Sequence, residues 1–158
     1  MARVLIVGCG CRGRSLAEAL RADGHAVRGT TRGAALAEIE AAGAEAVVAD
    51  PDRLGTIMGQ VAGVTAVCWL MGGATGATAA DLHGPRLRTL LERLVDTPVR
   101  GIVYEAAGSV EPELLASGAA AVREAAGTWH MGAEVVDVHP SDHAAWLAAM
   151  KAAVGRLL

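Results

Sequence analysis

Three glycines set the first chemical question. Gly8, Gly10 and Gly13 stand at G-x-G-x-x-G spacing in "VLIVGCGCRGRSLAEAL", where an aliphatic run meets a run of helix formers. A turn of this kind suits a pyrophosphate. The first glycine permits the tight turn, the second lets the backbone approach the phosphates, and the third lets helix pack close on strand. The helix N-terminus adds amide donors and the positive end of its dipole. Cys11 and Arg12 sit inside the turn, and Arg12 is a candidate phosphate contact. About 20 residues on, an acid would hold a ribose 2′-hydroxyl. The chain there reads "VRGTTR", with Thr31 and Arg32 and no acid before Glu38. Hydroxyls and a guanidinium suit a 2′-phosphate, which Arg binds bidentately. The expected cofactor is NADP, with NAD as the alternative.

Other groups invite chemistry and have plainer readings. Cys9 and Cys11 flank Gly10 without the further ligands that zinc needs, and they read as small fillers. Cys68, inside an aliphatic run, reads as core. In "HPSDH", His139 follows a strand, while Ser141 reads as the N-cap of the closing helix. The glycine-rich stretch "LMGGATGATAADLHGPR" reads as a long loop or lid, with His83 and Arg86 at its end. Glu105 and Ser109 in "YEAAGSVEPE" are the polar groups best placed for a substrate pocket.

These groups need a scaffold, and the hydrophobic pattern supplies one. Short aliphatic runs at residues 3–7, 25–29, 44–49, 65–70, 100–104 and 134–138 alternate with helical segments at 11–22, 34–42, 53–61, 83–95, 112–126 and 141–158. Strands apolar on both faces, separated by helices, imply a parallel sheet covered on both sides. The pattern predicts a doubly wound, six-stranded α/β Rossmann sheet of order 3-2-1-4-5-6, in three layers. Residues 1–158 are expected to form a single dinucleotide-binding domain.

Composition narrows the class. Hydrophobic residues make up 53% of the 158 and mean hydropathy is +0.36. No apolar run approaches the roughly 18 residues of a membrane span. The formal net charge is −3 without blocks of like charge, so no nucleic-acid surface is expected. The location expected is cytoplasmic. Of the 14 Lys and Arg residues only Lys151 is lysine, so a catalytic lysine has one candidate. Surplus apolar surface on the helix at 87–95 and on the closing helix suits a homodimer.

The stretches "VLIVGCGCRG", "GHAVRGTTR", "AEAVVADPDRL" and "VRGIVYEAAGSV" together resemble the atypical or extended short-chain dehydrogenase/reductase superfamily, in its epimerase/reductase-like branch. The resemblance implies that Asp50 lies beside the adenine and that Arg32 meets the 2′-phosphate. It also implies that Met71, Gly72 and Gly73 line the pyrophosphate and nicotinamide ribose. The family's usual turn is G-x-x-G-x-x-G, one residue longer than here. Its Tyr-x-x-x-Lys pair is missing, since the only tyrosine is Tyr104 and Gly108 stands four residues on. Tyr104 therefore reads as a packed residue. Two functions follow as expectations: an NADP-dependent oxidoreductase acting on a small carbonyl substrate, or a non-catalytic NAD(P)H-binding sensor or partner subunit. A G-x-G-x-x-G cofactor domain like that of ketopantoate reductases is a third.

Overall fold

Strand β1 (Arg3–Val7) is apolar at successive positions because it runs through the middle of the sheet with a layer of helices on each face. The computed structural model describes residues 2–158. Side chains alternate across the strand. Leu5 and Val7 join Val67, Trp69, Ile102 and Tyr104 in one core, while Val4 and Ile6 join Cys68 and Val103 in the other.

Six strands, all parallel, pair in the order β3-β2-β1-β4-β5-β6. The others are β2 (Ala26–Thr31), β3 (Glu45–Val48), β4 (Ala66–Trp69), β5 (Gly101–Glu105) and β6 (Gly132–Val136). Helices α1 (Cys11–Ala22), α2 (Leu36–Ala41) and α7 (His143–Leu157) cover the face of Val4 and Ile6. Helices α3 (Leu54–Met58), α4 (Ala79–Leu82), α5 (Pro85–Leu94) and α6 (Pro112–Trp129) lie between β3 and β6 in the chain, and residues of each build the opposite core. The direction of winding reverses between β1 and β4, which opens a crevice at the carboxyl ends of these strands.

The architecture matches the sequence reading, and several boundaries move. β2 continues past Gly29 to Thr31, because the Thr30 side chain is buried and takes the Gly8 amide. The loop after β4 contains α4, and α5 begins at Pro85 rather than at His83. Asp142, not Ser141, caps α7: its carboxylate accepts the Ala145 amide, while Ser141 pairs with His139. Among the described residues no helix is long and apolar enough to cross a membrane.

Candidate dinucleotide-binding site

Gly8 adopts φ +82°, and a Cβ there would lie 2.2 Å from Met71 Cε and 2.8 Å from the Leu70 carbonyl oxygen. Only glycine fits this position without strain. The Gly8 amide donates to Thr30 Oγ1 (3.1 Å) and the Cys9 amide to the Thr30 carbonyl (3.0 Å), tying the turn to β2. Cys9 is buried above Gly29, where a Cβ would come within 2.8 Å of its sulfur. The thiol fills that gap, and burial pushes it up to about 11, so it is an inert filler. Cys68 is core as expected, its thiol pushed up to about 12 by burial. Cys11 is exposed.

Gly13 packs close beneath, its Cβ position 3.2 Å from the Gly8 carbonyl and 3.4 Å from Ile6 Cγ2. Gly10 is different: nothing lies within 4 Å of a Cβ built there. The first bond of α1 runs from the Arg14 amide to the Gly10 carbonyl (2.9 Å). The amides of Cys11, Arg12 and Gly13 therefore precede the helical ladder, and among the described residues no side chain caps them. The first turn also carries no acid. These amides open onto free space above Gly10, the arrangement that favours an anion.

A groove of about 430 Å³ runs over this turn. Gly8, Gly10 and Arg12 line its middle, and Thr31 and Arg32 one end. Met71 and Gly73 line the other. Cys11, Gly13, Asp50 and Gly72 stand outside the lining. Asp50 lies just behind it, one carboxylate oxygen accepting the Asp52 amide (3.0 Å) and lying 3.5 Å from Arg32 Nε. Arg32 Nη2 is also 3.5 Å from Asp52, so two carboxylates balance this guanidinium. Thr30, Pro51, Thr75 and Thr78 join the site although the sequence motifs do not single out the last three. Their signal was slight: the two threonines lie in a loop whose path only the fold reveals.

The β5 side of the groove is closed. Glu105, at the end of β5, is fully buried and accepts from Arg12 Nε (2.7 Å) and Nη2 (2.6 Å), the Gly72 amide (2.9 Å) and Trp146 Nε1 (2.9 Å). Arg12 also lies 6.0 Å above the Trp146 ring. The hydrogen bonds to Glu105 hold the Arg12 guanidinium charged. Beside it, Gly72 and Gly108 meet backbone to backbone: a Cβ on Gly108 would lie 2.1 Å from the Gly72 oxygen, and Val110 donates to the same oxygen (3.1 Å). Glu105, expected at a substrate pocket, is thus the acceptor hub of an ion-paired network.

His83, at the end of the loop where it could meet a substrate, is likewise turned inward. It is buried, with Nε2 2.7 Å from the Met71 carbonyl and Nδ1 2.5 Å from Tyr104 Oη. A carbonyl only accepts, so Nε2 carries the proton and Nδ1 accepts from the tyrosine hydroxyl. Burial drives His83 below its usual 6.5 and Tyr104 above its usual 10. The pair pins the loop after β4 from below. With a folded-state value below 6.5, the unfolded chain takes up the proton first. The stability that neutral His83 contributes is therefore complete above pH 6.5 and is lost as pH falls through its folded-state value. Urea unfolding at pH 7.5 and 5.0 should show a larger acid loss in the native protein than in His83→Asn, which does not titrate. An equal loss in both would overturn this assignment.

The remaining candidates lie apart. His139 is exposed and bonded to Ser141. Lys151 pairs with Asp23 (3.2 Å), just past the C-terminus of α1 and so at the opposite end of that helix from the groove.

The sheet order and the glycine turn define an α/β fold of the Rossmann type. Its structural neighbours are epimerase/dehydratase and short-chain dehydrogenase/reductase proteins. One is a Bacillus halodurans protein assigned as an NAD-dependent epimerase/dehydratase, with TM-score 0.71 and 21% identity over 89% of this chain and 71% of that one. Another is a short-chain dehydrogenase/reductase superfamily protein from Agrobacterium tumefaciens with bound NAD (TM-score 0.69, 22% identity, 85% of this chain). Alfalfa vestitone reductase is a third (TM-score 0.65, 15% identity, 87% of this chain). The chain spans 48% and 56% of the last two. At these identities the likeness is one of fold. No family model matches the chain, and no curated protein matches it in sequence.

Proposed function

We propose that this protein binds a nicotinamide dinucleotide, with the pyrophosphate over Gly10 and the adenosine half toward Thr31, Arg32 and Pro51. The observation that carries this reading is the uncapped first turn of α1 opening onto a groove of about 430 Å³. The NAD-bound neighbour of the same fold supports it. When bound, such a cofactor supplies hydride transfer at its nicotinamide ring, as an oxidoreductase of the reductase/epimerase type would use on a small carbonyl substrate.

A specific observation favours the non-catalytic version, a sensor or partner subunit. His83 and Tyr104 bond each other, Glu105 is taken up by Arg12, Gly72 and Trp146, and Lys151 lies at the far end of α1. None of the four is placed to hand a proton to a substrate in the groove.

The cofactor preferred is NADP(H), through Arg32. That guanidinium must leave Asp50 and Asp52 to meet a 2′-phosphate, which keeps the preference over NAD(H) small, at about tenfold or less. Calorimetric titration with NADPH and NADH tests both points. Both should bind, NADPH the tighter, and Asp52→Asn should widen the gap several-fold without changing NADH. Failure of both to bind refutes the dinucleotide reading; tighter NADH refutes the role of Arg32. Steady NADPH oxidation with a panel of carbonyl compounds would restore the catalytic version.

A further inference from the structure

Helix α5 carries two stripes. Leu87, Leu90, Leu91 and Leu94 are buried against the sheet. One position earlier in the same period, Arg86, Thr89 and Arg93 form a second stripe at i, i+3 and i+7. That stripe walls a cavity of about 440 Å³ whose other side is Asp52 and Arg53, between β3 and α3, with Asp81 of α4 also lining it. It shares no lining residue with the dinucleotide groove.

The charge in this cavity runs against that of the molecule. Three guanidiniums face two carboxylates, in a chain of formal net charge −3. By contrast, the cavity between α5 and α6, with Arg88, Glu92 and Glu124, has an excess of acid. Of the three arginines only Arg86 has an ion-pair partner among the described residues, and that pair is loose. Asp52 is shared with Arg32, and its other oxygen lies 3.9 Å from Arg86 Nε, beyond hydrogen-bond reach. Arg86 Nε and Asp52 Oδ1, which face each other at 3.9 Å, are both shielded from solvent without a hydrogen-bond partner among the described residues. Among the described residues Arg53 and Arg93 make no ion pair. A shielded N–H without an acceptor is costly, and the guanidinium fork matches the oxygens of a phosphoryl group.

We propose that this cavity binds a small phosphomonoester. Arg53, Arg86 and Arg93 hold its dianionic phosphoryl group, and Leu54 and Pro85 border its organic part. A dianion fits better than a monoanionic carboxylate, because a carboxylate saturates one guanidinium and leaves the other two unmatched. The site stands independently of the dinucleotide reading.

The test is an amide and arginine Nε–H NMR titration of the ¹⁵N-labelled protein with glycerol 3-phosphate, against sodium chloride at matched ionic strength. Saturable shifts are expected at residues 53–55 and 86–93 and at the three arginine Nε–H groups. In Arg53→Gln/Arg93→Gln the apparent affinity there should fall about tenfold or more, with the dispersed spectrum retained. Any shifts at residues 8–13 report the glycine turn and should survive that double substitution. Shifts that grow linearly and match those in chloride, or that keep their affinity in the variant, overturn the proposal. So does saturation confined to residues 8–13, which would leave the dinucleotide reading intact.

Discussion

Replacing Glu105 with alanine is expected to lower the unfolding free energy by about 3 kcal/mol, the lower end of the range for stripping one partner from a buried ion pair. The carboxylate is fully buried, and its four donor contacts come from α1, the loop after β4 and α7. Without it the Gly72 amide and the Trp146 indole N–H lose their acceptor inside the protein. The Arg12 guanidinium loses its counter-charge as well. Its side chain is 29% exposed, so it can turn toward water, which is why the lower end of the range applies. Glu105→Gln keeps the volume and one carbonyl acceptor but aims an amide N–H₂ at the guanidinium, and about half the loss is expected from it. Urea denaturation of the variants, closed into a double-mutant cycle with Arg12→Ala, measures the coupling. A loss below about 1 kcal/mol for the alanine variant would mean that water replaces the carboxylate and that the site is wetter than its burial implies. The same variants should weaken dinucleotide binding, because Glu105 sets the loop carrying Met71 and Gly73 against the turn carrying Gly10.

That network also marks where sequence reasoning stops. The glycine turn and the sheet order were legible because both are written locally, as a motif of fixed spacing and as apolar runs without alternation. Glu105 was legible only as a charge near a crevice. Its partner Arg12 lies 93 residues earlier, and no local pattern links them. Trp146 reads as part of an apolar stripe, which it is, yet its one polar atom donates to that carboxylate. His83 shows a similar limit. The leucine period runs back toward it, but Gly84 and Pro85 start the helix later and leave the imidazole free to turn inward to Tyr104. Thr30 reads as a hydroxyl just past the end of a strand, near a 2′-phosphate. Its hydroxyl instead accepts the amide of Gly8, which lengthens the strand and secures the turn. In each case the residue type was visible and the partner was not, because the partner comes from a different βα unit.

The other large effect is expected on binding alone. Gly10 has φ −81° and ψ −156°, extended backbone that other residues adopt, and open space where a Cβ would go. Gly10→Val should therefore fold with native stability to within about 1 kcal/mol, since a surface substitution free of strain costs little. Its methyl groups project into the space above the uncapped amides of α1, where the pyrophosphate would lie. Losing that approach removes charge-assisted bonds worth about 3 kcal/mol, so NADPH affinity should fall about 100-fold. Gly8→Ala supplies the contrast. With φ +82° and a Cβ 2.2 Å from Met71 Cε, it should destabilise the fold itself and lose binding only as a consequence. Thermal melts and calorimetric titrations of the two variants separate these roles. If Gly10→Val binds NADPH as tightly as the native protein, the phosphates do not cross the turn. The groove's polarity would then serve some other anion, because nothing else on β1 or α1 requires the second glycine.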